Sequence, residues 1–157
     1  MKISDLYKIF NNHPNVTTDT RNIKENSIFF ALKGDNFNGN KFARKAIKDG
    51  CHYAIIDQAE FQLNEKYILV DDVLKCLQNL ATYHRDQIMI PVIGITGTNG
   101  KTTSKELIYS CLSTELNTLA TDGNYNNHIG VPLTLLRANK EHDIAIIEMG
   151  ANHENEI

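Results

Sequence analysis

The 157-residue sequence has no tryptophan, only three prolines and nine glycines, and three cysteines. Cys51, Cys76 and Cys111 are odd in number, widely spaced and without a Cys-x-x-Cys pair, so neither a zinc site nor a disulfide framework is supported. Each lies in or beside an apolar stretch, and buried thiols in a reducing compartment are expected. A basic excess is also missing. Lys and Arg number 16 against 19 Asp and Glu, a formal net charge of −3, which argues against a general nucleic-acid binder. No apolar run approaches the roughly 20 residues of a membrane span, and Met1-Lys2-Ile3-Ser4-Asp5 turns polar too soon for a signal peptide. Long like-charge blocks are absent and 41% of residues are hydrophobic, so a folded chain is expected. These absences point to a soluble, cytoplasmic protein with no nucleic-acid partner; a monomer is expected, though nothing in the composition bears on it. What is plentiful is asparagine, at 18 residues.

A chain of this length buries roughly 70% of its unfolded surface and needs no covalent staple. It allows one domain or two small ones. Two textures meet near residues 86–91. Upstream, Ile3, Leu6, Tyr7 and Phe10 recur at helical spacing, and residues 15–19 are a short strand candidate. The apolar run 28–32 has strand length and stops at a polar loop, 34–40. Phe42, Ala43, Ala46 and Ile47 mark a helix that Gly50 terminates. Residues 53–56 and 67–70 read as strands. Val73, Leu74, Leu77, Leu80, Ala81 and His84 line a helix capped by Asp71 or Asp72. Downstream, a strand (92–96), a helix (101–112, with Leu107, Ile108, Cys111 and Leu112 inward), a short strand (118–121), a helix (131–137) and a buried strand (143–149) follow in order. The alternation predicts an α/β fold with parallel sheets.

The most specific feature is Gly94-Ile95-Thr96-Gly97-Thr98-Asn99-Gly100-Lys101-Thr102-Thr103, between a predicted strand and a predicted helix. Glycines let successive backbone N–H groups converge on phosphate oxygens, and the helix N-terminus adds partial positive charge. Lys101 is placed to reach the terminal phosphates, and the Thr102 hydroxyl to ligate Mg²⁺. Ile95 stands where the general phosphate-loop pattern has glycine; a glycine turn that binds nothing is the plainer alternative. Glu148, at the carboxyl end of a buried strand, is a second candidate Mg²⁺ ligand.

The loop Thr96-Gly97-Thr98-Asn99-Gly100-Lys101-Thr102 resembles the ATP loop of the Mur ligases and their folylpolyglutamate synthase relatives. Gly123-Asn124-Tyr125-Asn126-Asn127-His128-Ile129-Gly130 and Glu148-Met149-Gly150-Ala151-Asn152-His153 are similar to the branch that adds D-alanyl-D-alanine. Asp19-Thr20-Arg21, Phe29-Phe30-Ala31-Leu32-Lys33-Gly34 and Asn38-Gly39-Asn40-Lys41-Phe42 resemble that branch's UDP-sugar-binding domain. Asn26 and Asn155 stand where the family commonly has glycine, and asparagine is the residue that best tolerates a left-handed backbone in its place. Asn38 and Asn40 stand where it commonly has Asp and His.

The resemblance implies a small α/β UDP-sugar-binding domain over 1–88, then the first part of a mostly parallel, phosphate-loop ATPase domain over 89–157. It implies ATP and Mg²⁺ as cofactors, and UDP-N-acetylmuramoyl-tripeptide and D-alanyl-D-alanine as substrates. Gly97, Thr98, Asn99, Gly100, Lys101, Thr102 and Thr103 would hold the nucleotide; Thr102 and Glu148 would hold the metal. Thr20, Arg21, Asn38, Gly39, Asn40, Asn126 and Asn127 would contact substrate, and Lys101, Asn127, Glu148 and His153 would serve the reaction. Because the motif order stops at the metal-binding strand, an N-terminal fragment without turnover of its own is expected. Another ligase of the superfamily and a non-catalytic nucleotide-binding module are the alternatives, with a nucleic-acid ATPase further off.

Overall fold

The helical spacing at the N-terminus forms α1 (Ile3–Asn12), which buries Leu6 and Phe10. In the computed structural model, which describes residues 1–150, the chain divides into two compact units, Met1–Tyr83 and His84–Ile157. After α1 come the strands β1 (Val16–Thr17) and β2 (Ser27–Phe30), and a small hairpin of β3 (Lys33–Gly34) and β4 (Phe37–Asn38). Helix α2 (Ala43–Lys48), strands β5 (Cys51–Ile56) and β6 (Tyr67–Leu69), and helix α3 (Val73–Gln87), whose last four residues are counted with the second unit, follow in order.

The four-stranded sheet runs β1-β2-β5-β6, parallel throughout. Every residue of β2 is buried, as a strand covered on both faces requires. One face places Phe29, Ala31, Ala54 and Ile56 against Ala43 and Ala46 of α2. By strand alternation Ile28, Phe30 and Ile55 point the other way, and they too are fully buried. Asp72 caps α3 by accepting from the Lys75 backbone N–H (2.8 Å). Asn26 holds φ at 63°, the left-handed conformation expected of it. The predicted polar loop 34–40 proves to contain the β3–β4 hairpin, too short and too polar to show a strand pattern.

The second unit is built on β7 (Val92–Ile95), α4 (Lys101–Leu112), β8 (Thr118–Ala120), α5 (Gly130–Leu136) and β9 (Ile144–Glu148). Its sheet is parallel with β9 in the centre, order β7-β9-β8. Ala145 and Ile147 pack with Ile88, Leu119 and Ala138, and against Val131 and Leu135 of α5. Helix α4 covers β8 and β9. Its inward face is only partly the one expected: Ile108 and Leu112 are half-buried, as expected, but Leu107 and Cys111 are not. Leu107 is 64% exposed and Cys111 is exposed, whereas Lys105 is 2% exposed. Apolar type does not oblige a helix residue to face the sheet, and single exposed leucines are ordinary. Of the three thiols only Cys51 is buried. Among the described residues no helix is long and apolar enough to cross a membrane.

Candidate functional site

Strand β7 ends at Ile95, and the chain turns through residues 96–100 into α4. Gly97 (φ 142°) and Gly100 (φ 76°) take backbone conformations that side-chain-bearing residues rarely adopt, so the loop needs glycine at both places. No side chain caps α4 at Gly100, and a helix end of this kind suits a phosphate group. Thr98, Asn99, Gly100, Thr102 and Thr103 are exposed. Lys101 Nζ folds back to donate to the Gly97 carbonyl (2.6 Å), which holds its ammonium over the loop.

Beside this loop the carboxyl end of β9 presents Glu148, 1% exposed. Its Oε1 accepts from Thr102 Oγ1 (3.1 Å) and from Asn126 Nδ2 (2.8 Å). Its Oε2 is buried and has no hydrogen-bond partner among the described residues. A buried carboxylate oxygen left without a partner is costly, and a cation is the partner its charge favours. Thr102 and Glu148 therefore fit Mg²⁺, which takes one or two carboxylates plus phosphate oxygens rather than an all-protein cage. Among the described residues no group of three or more His, Cys, Asp or Glu side chains forms a metal cluster.

The segment between β8 and α5 supplies the rest. Asn126 is doubly engaged, its side chain on Glu148 and its carbonyl accepting from the Gly150 N–H (2.7 Å). Asn127 accepts from the N–H groups of Ile129 (3.1 Å) and Gly130 (2.8 Å), so its Oδ1 is committed to the start of α5. Gly130 lies so close to Tyr125 that a Cβ there would sit 2.4 Å from a backbone carbon. His153 lies outside the described residues, as does Asn155.

In the first unit Thr20 and Arg21 follow β1 in the chain. Asn38 ends the β3–β4 hairpin and Gly39 and Asn40 follow it, the Asn38 and Asn40 side chains bonding to residues just after β5. Arg21 chelates Asp19, Nε to Oδ1 (3.0 Å) and Nη2 to Oδ2 (2.6 Å), and these bonds hold the Asp19 carboxyl down at about 2. Both side chains are largely exposed. The Thr20 carbonyl accepts from Lys45 Nζ (3.0 Å). Asn40, expected to contact substrate, is engaged within the fold. It is fully buried, its amide donating to Asp57 Oδ1 (2.8 Å) and Asn38 Oδ1 (3.0 Å) while its Oδ1 accepts from the Asp57 N–H (3.0 Å). Asn38 Nδ2 donates to Gln58 Oε1 (2.7 Å). Gly39 is a close approach: a Cβ would lie 2.4 Å from the Leu32 carbonyl oxygen. Asn40 and Gly39 thus shape the loop from within. Asp57, which also pairs with Lys33 (2.9 Å), escaped the sequence reading because nothing in its spacing marks it. Lys105 and Thr121, behind Glu148, escaped it too, although Lys105 falls one helical turn after Lys101, a usable signal.

Comparison with known proteins agrees with this arrangement. The pattern of the Mur ligase family catalytic domain matches residues 14–85, and that of the Mur ligase middle domain residues 95–156. The UDP-N-acetylmuramoyl-tripeptide–D-alanyl-D-alanine ligase of Bacillus subtilis is 41% identical over 144 residues, 90% of this chain and 32% of that protein. The same-named ligase of Escherichia coli is 43% identical over 142 residues, 90% of this chain and 31% of that protein. Among solved structures, MurF from Acinetobacter baumannii superposes with a TM-score of 0.81 at 39% identity, covering 90% of this chain and 31% of that one. MurF ligase from Thermotoga maritima in complex with ADP gives 0.82 at 29% identity, covering all of this chain and 35% of that one. The chain spans about a third of the length of these relatives. With two consecutive family patterns along the sequence and the same fold in space, it belongs to the Mur ligase family.

Proposed function

We propose that this chain serves an ATP-driven amide ligation, the joining of D-alanyl-D-alanine to UDP-N-acetylmuramoyl-tripeptide, in the cytoplasm. One observation carries the reading: a glycine loop opening a helix, with a buried carboxylate oxygen that lacks a partner beside the loop's threonine. A carboxylate resists attack by an amine until one of its oxygens becomes a phosphate leaving group, so the reaction runs through an acyl phosphate. The terminal phosphoryl of ATP passes to the tripeptide carboxylate, the amine of D-alanyl-D-alanine attacks the acyl carbon, and phosphate departs.

In this reading the backbone N–H groups of residues 97–103 bind the nucleotide phosphates. Lys101 releases the Gly97 carbonyl and places its ammonium where negative charge builds during transfer. Thr102 and Glu148 hold Mg²⁺, which when bound supplies charge neutralisation on the phosphate oxygens. Asn126 keeps Glu148 aimed, and Asn127 sets the start of α5. Thr20 and Arg21, with the loop shaped by Asn38, Gly39 and Asn40, take the uridine end. The names of the relatives support the substrates, and the ADP complex of the Thermotoga maritima ligase supports the nucleotide. The test is an ADP-release assay on the gene product that contains residues 1–157. Release that requires both UDP-N-acetylmuramoyl-tripeptide and D-alanyl-D-alanine is expected. Release with a single amino acid in place of the dipeptide would move the chain to another branch.

A further inference from the structure

Lys105 is a charged group that the ligation chemistry leaves without a task. It lies on the face of α4 that covers β8 and β9, with 2% exposure. Removing an ammonium from water is costly unless pairing repays it. A methionine would fill the same volume without that cost, so packing alone does not account for the charge.

Its contacts lead to the site. Nζ donates to the Thr121 carbonyl (2.7 Å) and pairs with Glu106 Oε1 (2.9 Å), whose side chain is mostly exposed. Thr121 is itself buried. Its Oγ1 accepts from the Glu148 N–H (2.9 Å) and sits 3.5 Å from the Ile146 carbonyl, which also accepts the Thr121 N–H (3.0 Å). One residue thus takes the ammonium on its carbonyl and the backbone of Glu148 on its hydroxyl. Five residues further on, Asn126 grips the Glu148 carboxylate. Thr102, three residues before Lys105 and on the same helix face, donates to that same carboxylate oxygen. The lysine anchors the start of the segment whose far end orients the metal-facing group.

We propose that Lys105 is a positioning residue for the metal–nucleotide site, acting through Thr121 to fix segment 121–126 and the end of β9 so that Glu148 offers Oε2 to the cation. The proposal rests on the nucleotide reading of the phosphate loop. The arrangement is that of an outer-shell partner, a group that touches no ligand yet sets the geometry of one that does.

The test is calorimetry of ATP binding to the 157-residue chain, in EDTA and in Mg²⁺. Lys105→Met keeps the stem and removes the ammonium; Thr121→Val keeps the shape and removes the hydroxyl link. Lys105→Met should hold its metal-free affinity within about twofold and lose roughly 10- to 100-fold of the Mg²⁺-supported affinity. Thr121→Val should lose a similar factor, and the double variant no more than the larger single loss, because both cut one chain of contacts. Metal-free and Mg²⁺-supported affinities falling together would mark a purely structural role and overturn the proposal. So would a Lys105→Met chain that binds Mg²⁺ and ATP like the parent, or losses that simply add. If Lys105→Met does not fold, Thr121→Val decides: undiminished Mg²⁺ support overturns the proposal. A parent chain whose ATP binding gains nothing from Mg²⁺ defeats the nucleotide reading and the proposal together, a result distinct from a variant that matches a binding parent.

Discussion

Glu148→Gln should separate stability from metal binding, and the structure sets the scale. The glutamine oxygen can keep both bonds now made to Oε1, from Thr102 (3.1 Å) and Asn126 (2.8 Å). Those bonds weaken from charge-assisted to neutral, a loss of about 1 kcal/mol each. In return the buried, partnerless charged oxygen, whose cost is on the order of 1–3 kcal/mol, gives way to a neutral amide NH2 that is itself without a partner there, so only part of that cost is recovered. The two effects partly offset each other, so urea unfolding in EDTA should place the variant within about 2 kcal/mol of the parent. Breaking an ordinary buried charge network instead costs roughly 3–5 kcal/mol. In the same protein, the gain in ATP affinity that Mg²⁺ brings should disappear. A variant destabilised by about 4 kcal/mol, in the range of a broken buried pair, that still responds to Mg²⁺ would refute the reasoning. It would make Glu148 a structural carboxylate.

Three further outcomes are expected. Gly130→Ala drives a Cβ to 2.4 Å from the Tyr125 carbonyl carbon, so the backbone must move, at a cost of about 1–3 kcal/mol or more; hydrogen exchange should show lost protection in the second unit and none in the first. Asn40→Ala strips the Asp57 N–H and carboxylate of their buried partner and should cost about 2–4 kcal/mol, measured by urea unfolding, with lost protection confined to the first unit. Burial holds the His84 imidazole below its ordinary value, against the raising effect of its bond to the Ala138 carbonyl, and burial followed by the charges of His13 and Lys66 does the same to His52. Between the folded values and the unfolded value near 6.5 the unfolded chain binds more protons, so this stability is full above about pH 6.5 and is lost as pH falls through the folded values. Urea midpoints at about pH 7.5 and 5.5 should differ in that direction, and less so in His84→Gln.

The sequence made the second unit legible where its chemistry is local. Helix 101–112 followed from the glycine loop and Lys101-Thr102, and the structure has it at Lys101–Leu112. The inward face of that helix is only half legible, because it is decided by the sheet it covers: Ile108 and Leu112 turn inward as expected, but Lys105 is taken in and Leu107 left out. The same holds for the first unit's loop. Asn38 and Asn40 were visible as departures from a family pattern, but that Asn40 is buried on Asp57 depends on two segments 17 residues apart. Asn26 shows the opposite case: its left-handed backbone is a single-residue property, and the sequence carried it. The orphaned Oε2 of Glu148 is a fact of three-dimensional packing, beyond any spacing rule.

The central claim is that Glu148 and Thr102 complete a Mg²⁺–nucleotide site on the phosphate loop. A crystal structure of the chain with ADP and Mg²⁺ tests it most directly. The account predicts a cation at about 2.0–2.1 Å from Glu148 Oε2 and from the Thr102 hydroxyl, with Lys101 turned from the Gly97 carbonyl toward the phosphates. Bound ADP with its cation elsewhere, and Glu148 still contacting only Thr102 and Asn126, would contradict it.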